Sequence, residues 1–428
     1  MPAPRRRRPR RHDGTSQAEH AVFDATEKLM VSKTFADITV ADILTQAGMS
    51  RANFYHYFAS KYDVLAALLL RLGNEAAELA RTRIVSPDRI STQLVETVMT
   101  QSLELWRAHG TVLCAASEWA HEIEEIGAAW ADMRRRFVEP MTEHLRRDRA
   151  AAGLPDHGDD ATVATLLACG IERTLYVTLR GIEPRLPSSE DAFATIRRLA
   201  EVASDTDFHA HLPARPAAEP APPAVRRDPS AAAAAATDQV ILDALAELLL
   251  DLPIQDVSVA RILEQARVSR ATFYFYFASK DDAFLALYQQ MSERLVGDFV
   301  TVADPAAGRP ASSTDLVRPW LTLDAAALAV FRNAVHEWTR HPVLRDAYLE
   351  HARTMTQTIE DALRAGRESG VVPEGPAAEQ VAATILWTVE RGIAGALVGE
   401  EHLEDLTRVA DVVGSLVGAA VLQDPPGH

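Results

Sequence analysis

The stretch SRANFYHYFASK, Ser50 to Lys61, returns with two changes as SRATFYFYFASK, Ser269 to Lys280. The likeness continues without gaps on both sides. ITVADILTQAGMSRANFYHYFASKYDVLAAL (38–68) matches VSVARILEQARVSRATFYFYFASKDDAFLAL (257–287) at roughly two thirds of positions. SEWAHE (117–122) has a weaker echo in HEWTRH (336–341). Residues 158–181 align with 375–399 and share the pairs Glu172/Arg173 and Glu390/Arg391. Whole domains are therefore duplicated, and the fold must be one that a single copy of about half the chain can adopt. Two or more domains are also what 428 residues imply.

Between the copies lies LPARPAAEPAPPAVRRDPS (212–230), followed by six alanines. Proline at this density cannot continue a helix and favours an extended spacer, on the order of 60 Å at full reach. Outside this linker, VFDATEKLMV, VLAALLLRLGNEAAELA and LRDAYLEHARTMTQTIEDALRAG space apolar residues three and four apart, as amphipathic helices do. No convincing alternating strand is present. The expected class is all-α, with a duplicated architecture. No apolar run approaches the roughly 18 residues of a membrane span. The basic opening RRRRPRRHDG lacks the apolar segment of a secretory signal. Cys114 and Cys169 offer no disulfide framework, so a reducing, cytosolic setting is expected. A net charge of −16 argues against a uniformly basic nucleic-acid coat but permits a local footprint, since salt confines charge effects to roughly 10 Å. Lysine is scarce (Lys28, Lys33, Lys61 and Lys280), yet both copies of the repeated stretch end on one.

TVADILTQAG reads as a short helix capped by Thr39, with Val40, Ile43, Leu44 and Ala47 facing inward. Gly48 allows a tight turn, and Ser50 caps a second short helix. In that helix Phe54 and Phe58 face inward, and Arg51, Asn53, Tyr55, His56 and Tyr57 lie more outward. A helix, a short turn with glycine and a polar-aromatic helix form the helix-turn-helix pattern, whose second helix fits the DNA major groove.

On these residues the chain resembles the TetR family of bacterial transcriptional regulators, twice over. FYFYFASK and IERTLY resemble its EthR branch in particular. The resemblance implies two tandem units. Each has a three-helix DNA-binding domain and a C-terminal helical ligand and dimerisation domain, and the two pack as an intramolecular pseudo-dimer. The implied boundaries are a basic arm (1–15), reader 1 (16–69), ligand domain 1 (70–211), the linker (212–230), reader 2 (231–287) and ligand domain 2 (288–424). The partners implied are double-stranded operator DNA and a hydrophobic small-molecule effector. No membrane, cofactor, metal or enzymatic activity is expected, and further homodimerisation of the chain stays open.

Carried over residue by residue, Tyr55 and Tyr274 correspond to phosphate or base contacts of the recognition helix. Lys61 and Lys280 correspond to a cation that clamps a phosphate at the next helix. Thr39 and Ser258 would cap the preceding helix and donate to phosphate. Arg51 and Arg270 open the recognition helices. Asn53, Thr272, His56 and Phe275 fall at base-reading positions; Asn suits adenine, and Thr or Phe suits a thymine methyl. Tyr57 and Tyr276 read equally as core or as contact. Phe54, Phe58, Phe273 and Phe277 read as core by their spacing. The EthR branch further implies an apolar tunnel, with candidate lining residues Trp106, Trp119, Ile171 and Tyr176 in the first copy. Those in the second are Phe331, Trp338, Trp387 and Val389. Ile171 and Val389 stand where that branch carries an Asn facing the ligand, so a polar anchor is missing at that place.

The second copy departs at the turn, where Arg267 replaces Gly48. Either that turn takes another geometry or the module is less stable. Residues 1–70 carry ten Lys/Arg against seven Asp/Glu, and 225–290 six against nine, so the second module is expected to be the weaker electrostatic partner. Arg5 to Arg11 form either an arm along the DNA or a merely solvated tail.

Helix-turn-helix proteins bind as pairs because one short helix reads few base pairs. Fusion of both subunits in one chain, joined through 158–181 with 188–208 and 376–398 with 403–422, frees the two readers to diverge and predicts an asymmetric operator. The alternative is a single working reader, with the second unit as scaffold and dimerisation between chains. Against an enzyme, no phosphate loop, nucleophile elbow or Cys-His zinc pattern is present. Glu118, His121 and Glu122 share a helical face without a further ligand group at metal-binding spacing.

Overall fold

The structure is a computed structural model that describes residues 16–83, 91–154, 156, 158–203, 208, 237–303 and 317–422. The basic arm and the linker lie outside these. Among the described residues every regular element is helical. The chain divides into two compact units, Met1–His144 with Leu175–Pro184, and Leu145–Thr174 with Arg185–His428.

The first unit opens with α1 (Gln17–Met30), started by a capping box. Ser16 Oγ accepts from the Ala18 amide, and the Glu19 carboxylate accepts from the Ser16 amide. Val22, Phe23, Thr26 and Met30 form its buried stripe. A second capping box, Thr39 with Asp42, starts α2 (Val40–Ala47), which ends at Gly48 in the left-handed region (φ 62°, ψ 34°). Ser50 caps α3 (Arg51–Tyr57), and α4 (Lys61–Arg83) follows. Phe54 and Phe58 are fully buried, and Phe58 meets Phe23 edge-on at 5.7 Å. Beyond the reader come α5 (Ser91–Trp119), kinked at His109, and α6 (Glu124–Ala151). His109 is tied to Glu27 of α1 at 2.9 Å.

The second unit repeats this local plan. It contains α9 (Thr237–Asp251), a 3-10 turn at Ile254–Asp256, α10 (Val259–Ala266), α11 (Arg270–Tyr276) and α12 (Lys280–Ala303). Ser258 and Ser269 cap α10 and α11 as Thr39 and Ser50 cap α2 and α3. At the turn Arg267 adopts the same left-handed conformation as Gly48 (φ 55°, ψ 38°), so the geometry is kept and a side chain bears it. A non-glycine residue there costs roughly 1–2 kcal/mol. Then follow α13 (Arg318–Leu321), α14 (Ala325–Glu337), α15 (Pro342–Glu368), α16 (Ala378–Val398) and α17 (Leu406–Leu422).

The first copy also supplies α7 (Asp160–Leu179) and α8 (Ser189–Ala203). Within the second unit, α8 and the Asp160–Thr174 part of α7 share a core with α16 and α17. The two Glu-Arg pairs exchange partners there. Arg173 meets Glu390 at 2.8 Å and Arg391 meets Glu172 at 3.1 Å. Gly170 faces Thr388, its equivalent position, so closely that an added Cβ would sit 2.9 Å from the threonine hydroxyl. Reciprocal pairs with equivalent positions meeting at the centre are the mark of a two-fold interface, here built inside one chain. The expectation of no membrane-length apolar segment is corrected. α7 and α16 are each long and apolar enough, but 78% and 89% of their apolar windows are buried. Their apolar character belongs to the centre of this interface. Cys114 and Cys169 form no disulfide and are buried, and burial pushes the Cys114 thiol up to about 12.

Candidate nucleic-acid interface and effector cavity

Seven residues of α3 present Arg51, Asn53, Tyr55 and His56 to solvent, and Tyr55 is 48% exposed. The Arg51 guanidinium lies 5.9 Å from the Tyr55 ring centre, close enough for a cation–π contact. On α11, Arg270, Tyr274 (49%), Phe275 (80%) and Tyr276 (42%) are exposed. Thr272 is half-buried, with its hydroxyl 2.7 Å from that of Ser269. The two recognition helices therefore share a backbone and differ in chemistry. An imidazole at His56 becomes an exposed phenyl at Phe275, and an amide at Asn53 becomes a hydroxyl at Thr272. The tyrosines left open by the sequence separate as well. Tyr57 is half-buried and accepts from Ser16 Oγ at 3.3 Å, whereas Tyr276 faces solvent.

Lys61, expected as a phosphate clamp, folds back onto its own chain as an internal staple. Its ammonium donates to the carbonyls of Phe35, Ala36 and Ile38, each at 2.8 Å, and lies 5.0 Å from the Phe35 ring centre. Lys280 does the same with Ile254, Gln255 and Val257 at 2.7, 3.2 and 2.9 Å. An ammonium has three protons, and all three are committed to the chain segment that leads into α2 or α10. Burial lowers the Lys61 pKa. Thr39 is likewise occupied. Its hydroxyl donates to Asp42 at 2.7 Å, and the Thr39 hydroxyl, the Thr39 amide and Lys33 hold the Asp42 carboxyl down to about 2. Ser258 only accepts, from the Arg261 amide, because Arg261 stands where Asp42 would close the box.

Trp119, expected at the effector pocket, lies at the reader junction. It packs 5.2 Å from Tyr62 and 6.3 Å from Phe35 in ring-centre distance, at the foot of the first reader. In the second copy Asp281 and Ile254 stand at the places of Tyr62 and Phe35. A cavity of about 290 Å³ opens there among Ile254, Phe284, Leu285, Glu337, His341 and Val343. Across this junction Asn333 accepts from the Ile254 amide at 2.8 Å, and Arg332 donates to the Leu249 carbonyl at 2.7 Å. Glu337 is bonded to Gln255 and meets His341 at 2.9 Å.

Further into the second copy a small cavity of about 40 Å³ is walled by Tyr288, Trp320, Phe331, Tyr348, Trp387 and Val389. Trp338, expected in the lining, stands behind it. It is fully buried and stacks on Tyr348 at 5.0 Å and on Trp387 at 6.2 Å. The cavity has polar groups that the Val389 position lacks. Glu390 accepts the Tyr348 hydroxyl at 2.6 Å with one oxygen and meets Arg173 with the other. His351 also borders the cavity, and burial lowers its pKa. In the first copy Trp106, Ile171 and Tyr176 are buried. The Tyr176 hydroxyl donates to Glu118, which also meets Arg180 at 2.7 Å.

The family model for bacterial regulatory proteins of the tetR family matches residues 22–68 and again 241–287. The C-terminal domain of the transcriptional regulator EthR matches 95–198. The HTH-type transcriptional regulator EthR of Mycobacterium tuberculosis H37Rv is 31% identical over 191 residues, which cover 44% of this chain and 86% of that protein. The chain belongs to the TetR family. Its EthR counterpart in Mycolicibacterium smegmatis is 26% identical over 196 residues, covering 46% of this chain and 89% of that protein. Among solved structures, a TetR transcription regulator from Haloarcula marismortui aligns at 21% identity. It covers 44% of this chain and 98% of that one, with a TM-score of 0.38. As a TetR-family member this chain is a DNA-binding transcriptional regulator of tandem build and not an enzyme.

Sequence reasoning missed the two junctions. Arg332 and Asn333 carried no motif, and the signal for Glu337 was only the faint echo between SEWAHE and HEWTRH. The stapling role of the lysines was equally hidden, because a lysine retained in both copies fits a phosphate clamp and a backbone staple alike.

Proposed function

We propose that this regulator uses both readers of a single chain to bind one asymmetric operator, as a repressor released by a hydrophobic small molecule. One observation carries the reading. Both recognition helices are formed with the same caps and turn conformation, while their exposed faces differ at Asn53/Thr272 and His56/Phe275. The unequal faces favour unequal half-sites, with adenine contacts from Asn53 and thymine-methyl contacts from Phe275 and Thr272. Arg51, Tyr55, Arg270, Tyr274 and Tyr276 would supply the remaining contacts to bases and phosphates. The aromatic cavity of the second copy supports a mainly apolar effector. Glu390 joins that cavity to the interface ion pair, which gives an occupant a route to the rest of the chain.

The test is fluorescence anisotropy with the duplex upstream of the protein's own gene, comparing the wild type with Tyr55→Ala and Tyr274→Ala. Weakening by each substitution, on a steep salt dependence, is the expected result. If only Tyr55→Ala matters, the second unit is a scaffold and the chain pairs with another copy. A strictly palindromic footprint protected by one chain would overturn the asymmetric operator.

A further inference from the structure

Arg267 is held in a left-handed conformation that glycine adopts freely at the same place in the first reader. Among the described residues only Arg267 and His402 bear positive φ without being glycine. Strain kept at one position calls for a compensating use of the side chain. The Arg267 side chain is exposed and makes no hydrogen bond or ion pair. It sits in the turn between α10 and α11, two residues before the Ser269 cap. In helix-turn-helix docking the first helix crosses the phosphate backbone and the second enters the groove, so the turn runs close to the backbone.

A second exchange points the same way. Asp42, spent on its capping box and on Lys33 at 3.1 Å, becomes the exposed Arg261. Over 39–61 the first reader has Arg51 and Lys61 against Asp42; over 258–280 the second has Arg261, Arg267, Arg270 and Lys280 against Glu264. With both lysines spent internally, the exposed guanidinium groups are concentrated on the second reader, where Arg261 spends one donor on the Asp256 carbonyl at 3.3 Å and keeps the others. The wider window of 225–290 hides this, because its acids lie mostly on α9 and at the start of α12.

We infer that Arg267 is a phosphate contact particular to the second reader, with the exposed Arg261 of the preceding helix adding to the local positive charge, and that Arg267 gives up fold stability for DNA affinity. Arg267 supplies sequence-independent grip where Phe275 has replaced a polar reading group with an apolar one. This rests on the reading that both readers touch DNA.

The experiment uses the full chain and a fluorescein-labelled duplex of mixed sequence at low salt, so no operator need be known. Arg267→Gly is expected to raise the thermal unfolding midpoint. It should also weaken duplex binding several-fold and reduce the slope of log K against log salt by about 1. Arg267→Lys should keep most of the slope. A residue with only a structural role would not move stability and binding in opposite directions. Unchanged affinity and slope in Arg267→Gly, while Tyr274→Ala weakens binding, would overturn this inference alone. If neither substitution changes binding, the second reader is off the DNA and both readings fall.

Discussion

Lys61 shows at the residue scale how one retained side chain fits two roles. Its position ahead of α4 suits a phosphate clamp, yet three short bonds to the carbonyls of Phe35, Ala36 and Ile38 leave it no proton to offer DNA. Removing the ammonium strands carbonyls that are partly shielded from water, and each charged bond of this kind is worth roughly 1.5–3 kcal/mol before discounting for solvent access. Lys61→Met is therefore expected to destabilise the first reader by about 2 kcal/mol in urea unfolding while leaving the salt slope of DNA binding unchanged. A reduced slope with unchanged stability would restore the clamp. The sequence could identify the residue as important, but it could not supply the direction in which the side chain folds back.

The junction between reader and ligand domain is where the elements of the two copies differ most. In the first copy, Phe35, Tyr62 and Trp119 fill it with rings. In the second, Ile254 and Asp281 leave it open, and α14 reaches the reader through Asn333 and Glu337 instead. His341, at the cap of α15, meets Glu337 at 2.9 Å. This bond raises the His341 pKa, helped by the charges of Glu337 and Asp281 and opposed by burial and by Arg340. A histidine whose folded pKa lies above its unfolded value stabilises fully below that unfolded value, about 6.5, and loses the contribution as pH rises through the folded value. The thermal midpoint of the chain should thus fall as pH rises above about 6.5, and His341→Gln should flatten that fall. A fall that persists in the variant would assign it to another group.

At the scale of the whole molecule, the duplication is expressed as a two-fold interface inside one chain. Arg391 is fully buried between Glu172 of the first copy and Glu400 of its own. Removing one member of a buried ion pair leaves buried charge uncompensated, which typically costs 3–5 kcal/mol. Arg391→Met is expected to destabilise the second unit by about 4 kcal/mol in denaturant unfolding. Arg173→Met, its counterpart facing Glu390, should follow in the same direction. An effect near zero in both would mean that packing alone holds the four helices together.

Local signals determined much of this protein. Caps at Thr39, Ser50 and Ser258, the inward spacing of Phe54/Phe58 and Phe273/Phe277, and the repeated Glu-Arg pairs were legible because each acts within a few residues of chain. Periodicity and repetition therefore yielded the all-α class, the helix-turn-helix pattern and the tandem plan. Only the tertiary structure decided what those residues touch. It turned Lys61 and Lys280 inward, moved Trp119 to the reader junction and Trp338 behind the cavity, and exchanged the Glu-Arg pairs between the copies. Such partners lie tens to hundreds of residues apart, and a one-dimensional pattern carries no record of which distant group a side chain will meet. The left-handed Arg267 belongs to both levels: the sequence posed a choice between a changed turn and a strained one, and the fold kept the turn.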